Sequence, residues 1–335
     1  MRTATLRAYL EPGAGASAEP SAEERARLRD LYRGVLLGVA AGNALGLPAE
    51  GLSRGRIRAL YPGGLREVDP KERHRPWDDD LAQTALLAEV LLEGESLDAR
   101  WLGERLLHWL RTNGRGVGNL TLAVLEWVQT GVPEKAAARV AWEERGRNAA
   151  GNGAIMRCSP VALRWRRSPR RLIDDARESA LVTHHDERCA WSAVALNAVL
   201  ARLLHGGTVD LGILSMLLES AGAPREVGEA VRSVQGLGLA DVALDDPPSM
   251  GYTLMALQAG LWCLAQPEDF ERVLVEIVNA GGDADSNGAV AGAVMGCRVG
   301  AAGIPARWLA SIADVDRLEW LADELLERSM KNPVP

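Results

Sequence analysis

Hydrophobic positions recur at helical spacing along almost the whole chain. The segments LAQTALLAEVLLEG, LDARWLGERLLHWLRTN and LTLAVLEWVQTG place apolar residues three and four apart and close on Gly or Asn, frequent helix terminators. The same period returns in PRRLIDDARESALVTH, DERCAWSAVALNAVLARLLHGG, LGILSMLLESAG, REVGEAVRSVQGLG, GYTLMALQAGLWCLAQ, DFERVLVEIVNAGG and SNGAVAGAVMGCRVGAAG. No stretch alternates with period two for long enough to nominate a sheet. The pattern predicts one all-α domain over residues 23–330, with DDPPS at Asp245 to Ser249 as an interhelical break.

Ahead of it, EPGAGASAEPS is too rich in small residues, Pro and Gly to bury a core, so residues 1–22 are expected to form a flexible tail. Ser21 followed by Glu24 reads as a capping hydroxyl with an acidic residue three positions on, the start of a helix. That helix turns progressively apolar, and Gly34 to Ala49 carries no charge before Glu50. The run falls short of the roughly 20 residues a membrane span needs, so it is expected as a buried core helix.

Two segments repeat glycine every fourth residue: Gly34, Gly38, Gly42 and Gly46, then Gly288, Gly292, Gly296 and Gly300. A glycine inside a helix costs about 0.5–1 kcal/mol relative to Ala, so such stripes need compensation. Glycines four apart form a slowly rotating stripe that permits close backbone approach. Tight packing at the centre of the bundle is therefore expected, with any chemistry at the helix ends.

Composition narrows the function classes. The net charge is 38 minus 45, or −7, which provides no basic field for nucleic acid or anionic membrane. Cys158, Cys189, Cys263 and Cys297 form no CxxC or Cys/His pair, which argues against zinc and against a disulfide framework. The N-terminus lacks an apolar signal-peptide core, so a reducing cytoplasm is the expected address.

Two acidic clusters stand at the entries of apolar helices. Asp78-Asp79-Asp80 places three adjacent carboxylates before one helix, and Asp283-Ala284-Asp285-Ser286 precedes another. Each alone has two readings, a solvated acidic cap favoured by the helix dipole or a ligand set for a hard cation. Two such clusters together favour a shared metal site. Carboxylates and a hydroxyl without paired His or Cys suit Mg²⁺, Mn²⁺ or Ca²⁺ rather than Zn²⁺ or copper. Neither cluster continues into the Gly and bidentate Glu of an EF-hand.

Gly151-Asn152-Gly153-Ala154-Ile155-Met156-Arg157 is either a turn between helices or a loop presenting backbone N–H groups to an anion. Gly114-x-Gly116-x-Gly118 lacks the preceding strand and the Lys-Ser/Thr of a phosphate loop. His184 and His185 precede Asp186, where a capping or packing role competes with that of base or ligand. No Gly-x-Ser-x-Gly elbow supports a serine hydrolase.

Taken in order, these pieces resemble the ADP-ribosylglycohydrolase family. The likeness runs from Gly34 through Glu50, Asp78 to Asp80, Gly116 and Gly118, Gly151 to Arg157, Thr183-His184 and Gly281 to Ser286, and ends at Ile304 to Trp308. The resemblance implies an all-α orthogonal bundle and two Mg²⁺ ions, replaceable by Mn²⁺. It places Asp78, Asp79, Asp80, Asp283, Asp285 and Ser286 as ligands. Glu50 and Asp285 would be catalytic, and Gly116, Gly118, Asn152, Gly153, Ala154, Met156 and His184 would hold ADP-ribose. Asp78 stands where the family carries Thr, Asn43 replaces a frequent Asp and Leu81 replaces a frequent Thr. The implied reaction is hydrolysis of the glycosidic bond between ADP-ribose and a protein side chain, a nucleobase or a small molecule. Alternatives are a non-catalytic ADP-ribose-binding or crystallin-like relative, and a divalent-metal nucleotide phosphoesterase.

Overall fold

The glycine stripes face each other. In the computed structural model, which describes residues 2–12 and 20–331, helices Ala22–Gly46 and Ala284–Val299 lie antiparallel along their glycines. A β carbon on Gly38 would fall 2.1 Å from the Gly292 carbonyl oxygen, and one on Gly42 would fall 1.9 Å from that of Gly288. The reciprocal positions at Gly292 and Gly296 are as tight, 2.0 and 1.8 Å from the carbonyls of Gly38 and Gly34. Only backbone fits between these helices; Ala284–Val299 is almost wholly buried, and so is the first helix from Gly34 to Gly46, whereas its N-terminal turns face solvent. The antiparallel sense carries the C-terminal end of the first helix to the N-terminal end of the second.

Seventeen α-helices are present among the described residues, with a sheet of only two short strands. Helices Glu187–Leu204, Thr253–Trp262, Phe270–Asn279 and Val315–Met330 pack around the central pair. One contiguous hydrophobic cluster runs from Leu6 to Leu326, and a satellite around Val124 and Ala138 joins Asn119–Gln129 to Glu134–Glu144. The expected start at Ser21 is observed, with its hydroxyl accepting from the Glu24 backbone N–H at 3.1 Å. All four cysteines are buried and free. No helix among the described residues is long and apolar enough to cross a membrane.

The expected tail needs correction at its start. Ala4–Leu10 is a helix, and Leu6 and Leu10, one turn apart, are buried against the Pro169–Leu181, Glu187–Leu204 and Leu211–Ala221 helices. Seven residues cannot hold a helix alone, so docking of the apolar edge stabilises it. Residues 13–19, the centre of the expected tail, lie outside the described residues.

Candidate metal and ligand site

Three chain segments converge where the central helices end. After Gly46 a short 3₁₀ turn, Leu47–Ala49, delivers Glu50. The next residues, Leu52 and Ser53, pair antiparallel with Gly282 and Gly281, and the Gly51 N–H donates to Gly282 O at 2.8 Å. Gly281 and Gly282 have φ of +82° and +76°, and a β carbon on Gly282 would fall 1.9 Å from Leu244 O. Glycine is required there, and it fastens Glu50 beside Asp283 and Asp285. The Asp79–Glu93 helix brings the other cluster, with Asp78 at its N-cap.

The two clusters meet although some two hundred residues separate them. Ser286 Oγ donates to Asp80 Oδ2 at 3.3 Å. Carboxylate oxygens of Glu50, Asp283 and Asp285 lie within 4.8 Å of one another, and so do those of Asp78, Asp80 and Asp285. Asp285 belongs to both groupings. Asp79 belongs to neither; its carboxylate faces Gly116, where a β carbon would fall 2.6 Å from Oδ1.

Burial sets the electrostatics. Asp78, Asp80 and Asp285 are 2%, 1% and 4% exposed, and one oxygen of each is buried without a hydrogen-bond partner. Loss of water raises the pKa of Asp79, Asp80 and Asp285 well above the usual carboxylate range, and repulsion among the cluster adds to it. Asp78 is pushed up to about 6 by burial, against which the Asn43 hydrogen bond and Arg115 act. Glu50 stands at the mouth with much of its surface in solvent, yet partial desolvation of its carboxyl and the charges of Asp283 and Asp78 raise it too. Orphaned carboxylate oxygens in two oxygen-only groupings are the donor set of a hard cation. The acidic clusters could bind metal.

A cavity of about 330 Å³ opens on this cluster. Its wall includes Glu50, Asp79, Asp80, Asp283, Asp285 and Ser286 on the acidic side, with Gly116, Gly118, Asn152, Gly153, Met156 and His184 opposite. Asn152 Nδ2 donates to Asp283 Oδ2 at 2.9 Å, and its backbone N–H donates to Gly251 O at 2.9 Å. Asp78 lies behind the wall, where Asn43 Nδ2 donates to its Oδ2 at 3.1 Å. Ala154 does not reach the cavity; its side chain is fully buried in the core, so its expected ligand contact is withdrawn. A larger cavity of about 550 Å³, lined by Arg54, Arg58 and Val275, lacks the acidic cluster. Chemistry rather than size singles out the smaller one.

The sequence profile of the ADP-ribosylglycohydrolase family matches residues 24–334. The chain belongs to that family. A solved structure described as an ADP-ribosylglycohydrolase-related protein complex superposes with a TM-score of 0.71 at 31% identity, covering 92% of this chain and 100% of that one. An uncharacterized protein from Archaeoglobus fulgidus is 32% identical over 91% of this chain and 98% of its own length. The ADP-ribosylarginine hydrolase Tri1 of Serratia proteamaculans is 28% identical over 88% of this chain and 79% of its own. As an ADP-ribosylglycohydrolase, the protein is a hydrolase of ADP-ribose linkages.

In this ADP-ribosylglycohydrolase several wall residues escaped the sequence reading. Asn119, Leu120 and Thr121 open a helix whose apolar pattern drew attention to packing alone. Gly251 enters through the Gly151–Tyr252 bridge, a pairing too short to leave a period. A second open cavity of about 490 Å³ shares Gly151 and Gly251 with the first. His185 is turned away, with its ring centroid 5.2 Å from that of Trp142.

Proposed function

We propose that the acidic cavity binds the terminal ribose of an ADP-ribosylated acceptor and hydrolyses the bond at its anomeric carbon with the help of two divalent cations, Mg²⁺ or Mn²⁺. The observation that carries this reading is the pair of three-carboxylate groupings that share Asp285 and contain buried, unpartnered oxygens. Asp78, Asp80 and Asp285 would hold one ion and Glu50, Asp283 and Asp285 the other. Asp79 supplies a further carboxylate on the cavity wall, and Ser286 orients Asp80 through its hydroxyl. Bound cations of this type polarise ribose hydroxyls and water and stabilise charge as the glycosidic bond breaks.

The protein's own groups account for the remaining work. Glu50, at the mouth and with a raised pKa, is placed to orient water and accept its proton. Asn152 anchors Asp283 and fixes the Gly151–Gly153 turn, whose small residues leave room for a diphosphate. The remainder of ADP-ribose extends past Gly151 and Gly251 into the adjoining cavity; the two volumes suit a ligand of that size. The acceptor is proposed to be a modified side chain, with arginine first because of the likeness to the arginine hydrolase. Serine, nucleobase and small-molecule conjugates complete the panel to be assayed with Mg²⁺ and with chelator, products being read by mass spectrometry. Intact ADP-ribose released from one conjugate identifies the acceptor. Release of phosphate or a mononucleotide instead would make the protein a phosphoesterase. Binding of ADP-ribose with no cleavage across the panel would make it a binding module.

A further inference from the structure

Behind the acidic cavity, buried side chains form a directed chain of hydrogen bonds. Arg157 is fully buried; its Nη1 donates to Gln83 Oε1 at 2.6 Å, and its Nη2 donates to Ser179 O at 3.0 Å and to Thr183 Oγ1 at 2.7 Å. Thr183 Oγ1 lies 2.8 Å from His184 Nδ1. A guanidinium only donates, so the Thr183 oxygen accepts from Arg157. Among the described residues that hydroxyl has no other hydrogen-bond partner, so its proton is satisfied only by His184 Nδ1. Stranding it would cost about 1–3 kcal/mol. Nδ1 is then the lone-pair nitrogen, and the ring proton sits on Nε2.

We propose that Arg157 and Thr183 are positioning residues that lock His184 as the Nε2–H tautomer, a fixed uncharged donor aimed into the cavity at an oxygen of the bound ADP-ribose, either a phosphate oxygen or a ribose hydroxyl. The identity of that ligand rests on the proposed function; the tautomer does not. Nε2 makes no hydrogen bond to protein among the described residues, while His184 lines the cavity. It sits against the glycine turn, 3.4 Å and 3.1 Å from where β carbons on Gly151 and Gly153 would be. Those two glycines keep the donor uncovered. Burial and the nearby Arg157 oppose a second proton, holding the ring's pKa down at about 3. A neutral ring whose open nitrogen carries hydrogen has nothing there with which to take a proton from water. His184 therefore binds, and proton acceptance stays with the carboxylates.

The test reads the ring directly. Selective ¹⁵N-histidine labelling with long-range ¹H–¹⁵N correlation, the resonance assigned by its loss in His184→Gln, should show Nε2–H with an accepting Nδ1 at pH 7 and at pH 5. Thr183→Val keeps the shape and deletes the hydroxyl. It should mix the tautomers and weaken ADP-ribose binding three- to tenfold by calorimetry, while Thr183→Ser restores both. If the penalty recurs with ADP but not with adenosine, the acceptor is phosphate; if it recurs with adenosine or with ribose, it is a hydroxyl. A wild-type ring protonated on Nδ1, or charged at pH 7, overturns the proposal, as does a Thr183→Val protein with an unchanged tautomer. Should Thr183→Val fail to fold, the wild-type spectrum still decides. A wild type with the expected tautomer that binds no ADP-ribose would leave the relay standing and defeat the proposed function.

Discussion

The α carbon of Asp285 lies 2.5 Å from the point where a β carbon on Gly46 would begin. Packing of the central helices and assembly of the acidic cluster are thus one event. Gly46→Ala must push the first turn of Ala284–Val299 away, because the neighbouring atoms are backbone and cannot rotate aside. Overpacking of this kind costs about 1–3 kcal/mol. Thermal unfolding of the metal-free protein should show that loss, and calorimetry should show a further loss of Mg²⁺ affinity. Gly38→Ala, remote from the cluster, should cost stability while changing metal affinity less.

Asn43 and Asp78, the two positions where the family resemblance implies a frequent Asp and a Thr, are bonded at 3.1 Å. The Asn43 amide donates to the Asp78 carboxylate, so Asp78 does not add an unopposed charge. Asn43→Asp alone should set two carboxylates against each other and lower metal affinity. Asp78→Thr alone should remove a ligand. The double variant should bind metal more tightly than the sum of the single losses predicts, a coupling a double-mutant cycle would read as about 0.5–3 kcal/mol.

The raised carboxylates give the metal-free protein an unusual pH dependence. A carboxyl whose folded pKa exceeds its unfolded value stabilises the fold below the unfolded value and loses that contribution as pH rises through the folded one. With chelator present, Asp78 alone should lower Tm as pH climbs from about 4 to about 6, and Asp79, Asp80 and Asp285 extend the decline upward. Metal binding needs these groups deprotonated, so the Tm gain on adding Mg²⁺ should grow over the same range. Scanning fluorimetry across pH, with and without Mg²⁺, checks both trends.

The helix at the N-terminus supplies a stability test outside the site. Leu10 is 1% exposed. Leu10→Ala should cost about 2–5 kcal/mol in chemical denaturation if docking of Ala4–Leu10 stabilises the bundle. A change near zero would mean that this helix leaves the core freely.

That helix also marks where sequence reading stopped short. Leu6 and Leu10 carry a one-turn spacing, but seven residues are too few for a period to stand out beside the Pro/Gly-rich segment that follows. The glycine stripes were legible because the cost of glycine inside a helix demands a packing partner, and the two stripes supply each other. Both acidic clusters were legible as charges at helix entries. Their division was not, because which oxygens share a cation depends on side-chain direction; Asp79 turns toward Gly116 while Asp78 and Asp80 turn toward Asp285. Ala154 was carried into the site by its neighbours in a motif, whereas the turn of the backbone sends it into the core.

The central claim is that the shared carboxylate Asp285 makes this cavity a metal-dependent glycohydrolase. Free ADP-ribose released from an arginine-ADP-ribosylated protein should be followed for wild type and Asp285→Asn, with Mg²⁺ and after exhaustive chelation. The account predicts release by the wild type with Mg²⁺ only, and a fall of orders of magnitude in Asp285→Asn, which keeps the side chain's shape but not its charge. Release that survives chelation, or that Asp285→Asn leaves intact, would contradict it.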